Sequence, residues 1–252
     1  MKKTAFVLSL LITLLSFSSC QKEFLREAGD PVDTTSVVVS SDLVKTYTEE
    51  ATVSGTRFTE TFNLSYDSEG RILSFTSASS PGDKLVYKYN GTNYNMDIYS
   101  SGIIEVHSTF YINSIGFVDS TIQFSVFGDT STQKYIYDAR KLLVRVNEYD
   151  YSSSTSTLTG TINLTYDANR NLIKETAGNV ETVYEYYSDL TSKPNLGMKY
   201  HPLSRNLVKK TTVKDGATQT VDHTYTFDNL NRQTSEKITT ANGDVGIKSY
   251  TY

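Results

Sequence analysis

The chain holds one cysteine, no tryptophan and only three histidines. A single cysteine excludes an internal disulfide. The histidines are His107, His201 and His223, and none stands in a zinc spacing such as H-E-x-x-H. No Gly-rich phosphate loop and no G-x-S-x-G elbow occurs. No pair of carboxylates is singled out for the acid and base work of a glycosidase. These absences remove the recognisable metal, phosphate and nucleophile chemistries. The sequence therefore reads as a non-enzyme with no metal and no cofactor. Without tryptophan, the ring that carbohydrate sites lean on most heavily is also missing. The formal charge of −4 offers no basic surface, which argues against nucleic acid as a partner.

Apolar runs are short as well. The longest, from Ala5 to Leu15, lies in the leader and falls below the roughly 20 residues a membrane-spanning helix needs. Lys2 and Lys3 precede it, and Ser18 and Ser19 follow it, just before Cys20. This arrangement resembles the lipobox of bacterial lipoproteins, with Phe17 where Leu is usual. The resemblance implies that residues 1–19 are a signal peptide and that Cys20 carries lipid. The lone cysteine then has a use, because acyl chains contribute roughly 0.8 kcal/mol per buried methylene and hold a protein on a membrane rather than through it. Loss of Lys2 and Lys3 takes the formal charge from −4 to −6. In that family Gln21, in place of Asp, points to the outer membrane. The run "CQKEFLRE" resembles the leader of surface-exported Bacteroidetes lipoproteins, so a surface or a periplasmic orientation is open.

Residues 20–40 read as the lipidated cysteine and a flexible tether, with Gly29, Pro31 and a Thr/Ser run but no sustained period. Residues 41–252 read as one all-β domain. In "RFTETFNLSY", Phe58, Phe62, Leu64 and Tyr66 share one face, with Glu60 as an exception. In "TINLTY" and "TVDHTYTF", apolar or aromatic residues again alternate with Thr, Asn and Asp, and His223 falls on the apolar face. Such alternation marks strands with one wet face.

Between strands a turn unit recurs. "YDSEGR" from Tyr66 to Arg71 has Asp at the first position and Gly at the fourth, as a type I turn with a following bulge requires. Asp67 and Gly70, Asn113 and Gly116, Asp138, Asp167, and Asp228 with Asn231 are the structural turn residues this repetition predicts. The copy at Tyr137 reads as one residue shorter. Counting the segments gives roughly 14–16 short antiparallel strands, a meander curled into a barrel-like or rolled sheet. The Tyr-Asp-x-x-Gly-Arg pattern resembles the tyrosine-aspartate repeat of Rhs-type proteins. Together with the lipobox and the break "YEYYSDLTSKPNLG", it also resembles a group of uncharacterised Bacteroidetes lipoproteins with a porin-like β fold. That resemblance implies fold and location, not chemistry.

Two further readings concern sites. The repeated aspartates lack the oxygen density of a calcium loop, so turn capping is the expectation. Stepping back from Tyr252 by twos meets Tyr250, Lys248, Gly246 and Asp244, which is no lipid-facing band, so the sheet is expected to be porin-like without spanning the membrane. The longest break in alternation, from Ser188 to Leu207, holds Pro194, His201 and Pro202 and is the candidate binding loop, or else a plug or edge cover. The function expected is binding or scaffolding at the envelope for a glycan, lipid or partner protein. The alternatives are a carrier of a lipid or other apolar ligand inside the sheet and a hydrolase with an unrecognised carboxylate pair.

Overall fold

The computed structural model describes residues 42–53, 55–128, 130–152, 155–191, 196 and 204–252. Cys20, Pro194, His201 and Pro202, and with them the leader and tether, lie outside the described residues. The strands are β1 (Thr46–Val53), β2 (Thr56–Tyr66), β3 (Ile72–Ser77), β4 (Lys84–Asn90), β5 (Asn93–Ser100), β6 (Ile103–Ile112), β7 (Val118–Ser125) and β8 (Thr130–Tyr137). They continue as β9 (Leu143–Ser152), β10 (Thr155–Tyr166), β11 (Leu172–Ala177), β12 (Val180–Tyr186), β13 (Val208–Asp215), β14 (Ala217–Phe227), β15 (Gln233–Thr240) and β16 (Val245–Thr251).

Each strand pairs antiparallel with its sequence neighbours, and β16 closes on β1 from Thr46↔Thr251 to Thr52↔Val245. The meander is thus a closed barrel of 16 strands, at the upper end of the expected count. Closure leaves no exposed sheet edge for another chain to pair with.

The register defines an inner and an outer wall. Tyr47, Phe62, Phe75, Leu85, Tyr87, Tyr94, Ile98 and Tyr250 are buried in one cluster, and cross-strand partners place them on the same face. The interior is apolar and aromatic on β16 and β1 to β6 apart from Lys248, Glu49 and Glu60, and more polar on β9 to β15. Glu50, Lys88, Lys134, Arg145, Lys174, Lys210, Lys214 and Lys237 face outward by the same parity. A Lys or Arg on a lipid-facing wall costs about 2–4 kcal/mol at the bilayer midplane. Even Asp97, outward and only 2% exposed, is covered by Lys88 at 3.0 Å and His107 at 2.5 Å rather than by apolar groups. This wall is built for water.

The C-terminal residues expected to show a lipid-facing band, or its absence, point the other way. Tyr252, Tyr250, Lys248 and Gly246 lie on the inner wall, because Tyr250 pairs with buried Tyr47. The outward set on β16 is Thr251, Ser249, Ile247 and Val245.

Candidate functional site: a polar lumen sealed at one rim

The five aspartate or asparagine turns all fall on one rim, joining β2–β3, β6–β7, β8–β9, β10–β11 and β14–β15. Asp67 Oδ1 accepts the N–H groups of Glu69 and Arg71, both at 2.9 Å, and its Oδ2 accepts Arg71 Nε at 2.7 Å. Asp138 does the same with Arg140 and Leu142, and Asp228 with Leu230 and Arg232. Asn113 accepts Ile115 and Phe117, and Asp167 accepts Asn171. Burial alone would push the Asp67 carboxyl up, but these donors outweigh it and hold it below the usual range. The residue three places on has positive φ in every copy: Gly70, Gly116, Lys141, Arg170 and Asn231. The copy at Tyr137 is therefore full length, not one residue shorter: Lys141, at φ 61, occupies the position of Gly70.

Tyrosines at the ends of even strands, the repeat's Tyr66 and Tyr137 among them, have a separate task. Tyr66, at the end of β2, donates to the Val44 carbonyl at 2.6 Å. Tyr89, Tyr137, Tyr186, Tyr225 and Tyr252 donate in the same way to Ile72, Val118, Leu172, Val208 and Gln233, at 2.6–2.9 Å. Each ties the end of an even strand to the start of the odd strand before it or, for Tyr66, to the residue two before that start. The arginine completes the unit. Arg71 and Arg232 hold their own aspartates and lie over the rings of Tyr89 and Tyr252, at 4.5 and 4.3 Å.

This layer seals the rim. Val44, Ile72, Val118, Leu142 and Gln233 are at most 2% exposed, and Leu196, within the 188–207 segment, is buried in the same core cluster. The segment thus sends at least one side chain into the barrel, as a plug does. Asn206 closes it back onto Asn171 through a buried amide pair at 3.1 Å.

The opposite rim is open on its β7–β14 side and closed on β3–β5, where Ser77, Leu85 and Ile98 are buried. Gln123, Asp150, Ala177 and Gln219 face inward by register yet are exposed to solvent. Below them lies a polar inner wall. Tyr225, Glu236, Lys248, Glu49 and Glu60 are successive cross-strand partners on β14, β15, β16, β1 and β2, and so form one row. Glu236 receives His223 Nδ1 at 2.8 Å and the Tyr225 hydroxyl at 3.3 Å, and Lys248 Nζ lies 3.6 Å away. Burial would raise its pKa, but the Lys248 ammonium and these hydrogen bonds hold the carboxyl at about 2. Neighbouring Glu49 is pushed up by burial, only partly offset by the Tyr47 hydroxyl and Lys248. Glu175 is likewise raised by burial, against a hydrogen bond from Tyr184. Across the lumen, Gln133 bridges Glu148 at 3.0 Å and the Tyr135 hydroxyl at 2.7 Å. Gly160 faces Glu148, where a Cβ would come within 2.7 Å of its Oε2.

Thr211 Oγ1 lies 3.0 Å from His223 Nε2, so Thr211, His223 and Glu236 make a hydroxyl–imidazole–carboxylate relay. The relay lacks the other half of an acyl-transfer site. Thr211 sits mid-strand, paired with both Tyr184 and Val221, so the backbone amides around it serve the ladder rather than an oxyanion. Its chemistry is that of a satisfied buried network.

No family model matches the sequence, and no curated protein matches it. Solved structures do. A porin-like protein from Bacteroides uniformis ATCC 8492 superposes with a TM-score of 0.62 at 16% identity, covering 84% of this chain and 96% of that one. The fold is that of a porin-like barrel. A second such protein, from Bacteroides vulgatus ATCC 8482, gives a TM-score of 0.60 at 13% identity, covering 84% of this chain and 98% of that one.

The row Glu49–Glu60–Glu236–Lys248 was not singled out from sequence. The signal was present as exceptions: Glu60, His223, Glu236 and Lys248 are polar residues on faces that otherwise read as core.

Proposed function

We propose that the protein is a non-catalytic binding module of the cell envelope, held at the outer membrane by lipid on Cys20 after removal of residues 1–19, and that its ligand is a glycan taken into the lumen through the open rim. The observation that carries this reading is the asymmetry of the barrel. One rim is sealed by tyrosines and Leu196, and the other exposes inward-facing polar residues. A lumen closed at one end holds a ligand and does not conduct it. Its accessible lining supplies carboxamides, carboxylates and hydroxyls from Gln123, Gln133, Asp150, Glu148, Thr182 and Gln219, beside tyrosine rings. That set matches a polyhydroxylated ligand better than an apolar one. The apolar residues are spent on each other in the β1–β6 core, which weighs against a lipid carrier.

The test is a glycan array probed with the chain from Gln21 to Tyr252, as wild type and as Gly246→Phe. Gly246 faces the lumen, has no positive φ, and a Cβ there would meet only ordinary contacts at 3.8 Å. Its Cβ needs no rearrangement of the wall, and the ring is aimed at the lumen. Wild type should bind, and Gly246→Phe should not, at an unchanged fold. Binding that survives the substitution removes the lumen as the site. No binding to any glycan removes the ligand class.

A further inference from the structure

Among the described residues, exposed apolar side chains gather in a sector at the open rim, apart from Tyr111, Ile115, Ile136 and Leu230 toward the sealed one. On the open rim, the β5–β6 and β7–β8 hairpin tips hold Ile103 69% exposed, Val126 57% exposed and Phe127 84% exposed. Phe124 and Ile104 continue the sector down the outer wall, and Leu158, near the tip of β9–β10, extends it sideways. The remaining turns of this rim carry Gly55, Gly82-Asp83, Gly178-Asn179, Gly216 and Gly243-Asp244. The apolar tips are therefore those of two hairpins, β5–β6 and β7–β8, with Leu158 beside them on β10. Exposed apolar patches of this kind mark interaction or membrane sites.

The shape decides between these. A protein-binding face gathers its anchors into a packed centre ringed by polar groups. Here the anchors are not recessed in a packed centre: Phe127 is 84% exposed and, like Ile103, sits at a hairpin tip. A bilayer interface accepts such tips with no matching surface, to a depth of about 5–10 Å. Chain length permits the approach. Cys20 precedes Asp42 by 22 residues, a reach of at most about 75 Å when extended. The longest strand, β10 with 12 residues, is about 40 Å long. A chain anchored at Cys20 can thus bring the open rim to the membrane, although Asp42 joins the barrel at the sealed one.

We propose that Ile103, Val126 and Phe127 insert shallowly into the interfacial region of a phospholipid bilayer and lean the open rim against it. The proposal takes its membrane from the envelope reading and is independent of the glycan. The polar tips of the other six hairpins stay in water, so the lumen keeps an opening to one side.

Because the chain contains no tryptophan, a single introduced one reports only its own position. The chain from residue 20 with Cys20→Ser carries no acyl group and keeps intact the residues that close the barrel. In it, Phe127→Trp and, as a control on the sealed rim, Leu230→Trp are mixed with vesicles of phosphatidylethanolamine and phosphatidylglycerol. Phe127→Trp emission should shift to the blue and be quenched by brominated lipid, and Leu230→Trp emission should do neither. Ile103→Ser with Phe127→Ser should lower the vesicle-bound fraction at least tenfold in flotation at an unchanged melting temperature. Failure of the parent chain to bind vesicles overturns the proposal. So does an equal response of both tryptophans, or flotation that persists in the double variant. A parent chain that instead dimerises, and loses dimerisation in the double variant, assigns the sector to a second copy and also overturns it. Loss of palmitate labelling at Cys20 would end the anchor reading without altering any of these vesicle results.

Discussion

Lys248→Met isolates the charge at the centre of the inner row. Lys248 is 4% exposed, and its ammonium lies 3.6 Å from Glu236 Oε2. At an effective dielectric of about 20, two unit charges at that separation attract by roughly 4–5 kcal/mol. Removing one partner of a buried ion pair costs about 3–5 kcal/mol, because the other charge is left uncompensated. Methionine keeps the volume and removes the charge, so the loss is electrostatic. We expect Lys248→Met to lose about 3–4 kcal/mol at neutral pH, by urea unfolding followed with circular dichroism. The pH dependence has a definite sign. In wild type the Glu236 contribution is fully present above its unfolded pKa near 4.5 and is lost as pH falls through about 2. In Lys248→Met the buried carboxyl is raised instead, and protonation relieves it. The gap between the two proteins should therefore shrink as pH falls from about 5 to 2. Glu236→Gln with Lys248→Met should be more stable than Lys248→Met alone, since no charge is left uncompensated. A loss under about 1 kcal/mol, or a gap that ignores pH, refutes the reasoning.

Other outcomes follow from the sealed rim. Tyr137→Phe removes the donor to the Val118 carbonyl and should lower stability by about 1–2 kcal/mol in the same unfolding assay. Gly70→Val, at φ 72, should lose about 1–2 kcal/mol, whereas Lys141→Gly at φ 61 should be neutral or gain up to about 1 kcal/mol. A matching loss in both would show that φ is not what matters. Leu196→Ala should cost about 2–4 kcal/mol if the plug fills the core, measured as the shift in urea midpoint.

The parts that depend on neighbouring residues were legible in the sequence. The alternation on β2, β10 and β14 and the Asp-x-x-Gly turns are local patterns, and they lead directly to antiparallel hairpins. Closure was not legible. Thr46 meets Thr251 across almost the whole chain, and no local signal marks two strands as partners at that distance. The task of the tyrosines needed register as well, because Tyr225 reaches Val208 only once β13 and β14 are aligned. The inner polar row is the clearest lesson. Read along one strand, Glu60 or Lys248 is a flaw in an apolar face, but laid side by side by the ladder they are one network. Arg170 and Lys141 show the converse limit: neither is a residue type that advertises positive φ, and the turn imposes it.

Ligand entry requires a lumen open to water at one rim and sealed at the other. Removing Cys20 leaves no thiol in the chain, so single introduced cysteines report accessibility directly. Thr182→Cys sits inside the lumen, Thr224→Cys on the outer wall, and Ser108→Cys in the core, where Ser108 is 1% exposed. A small hydrophilic thiol reagent should label positions 182 and 224 in the folded protein and leave 108 unlabelled until urea is added. Adding Gly246→Phe should slow labelling at 182 and not at 224. A Thr182→Cys thiol that reacts only after unfolding, like the one at 108, would contradict the open lumen.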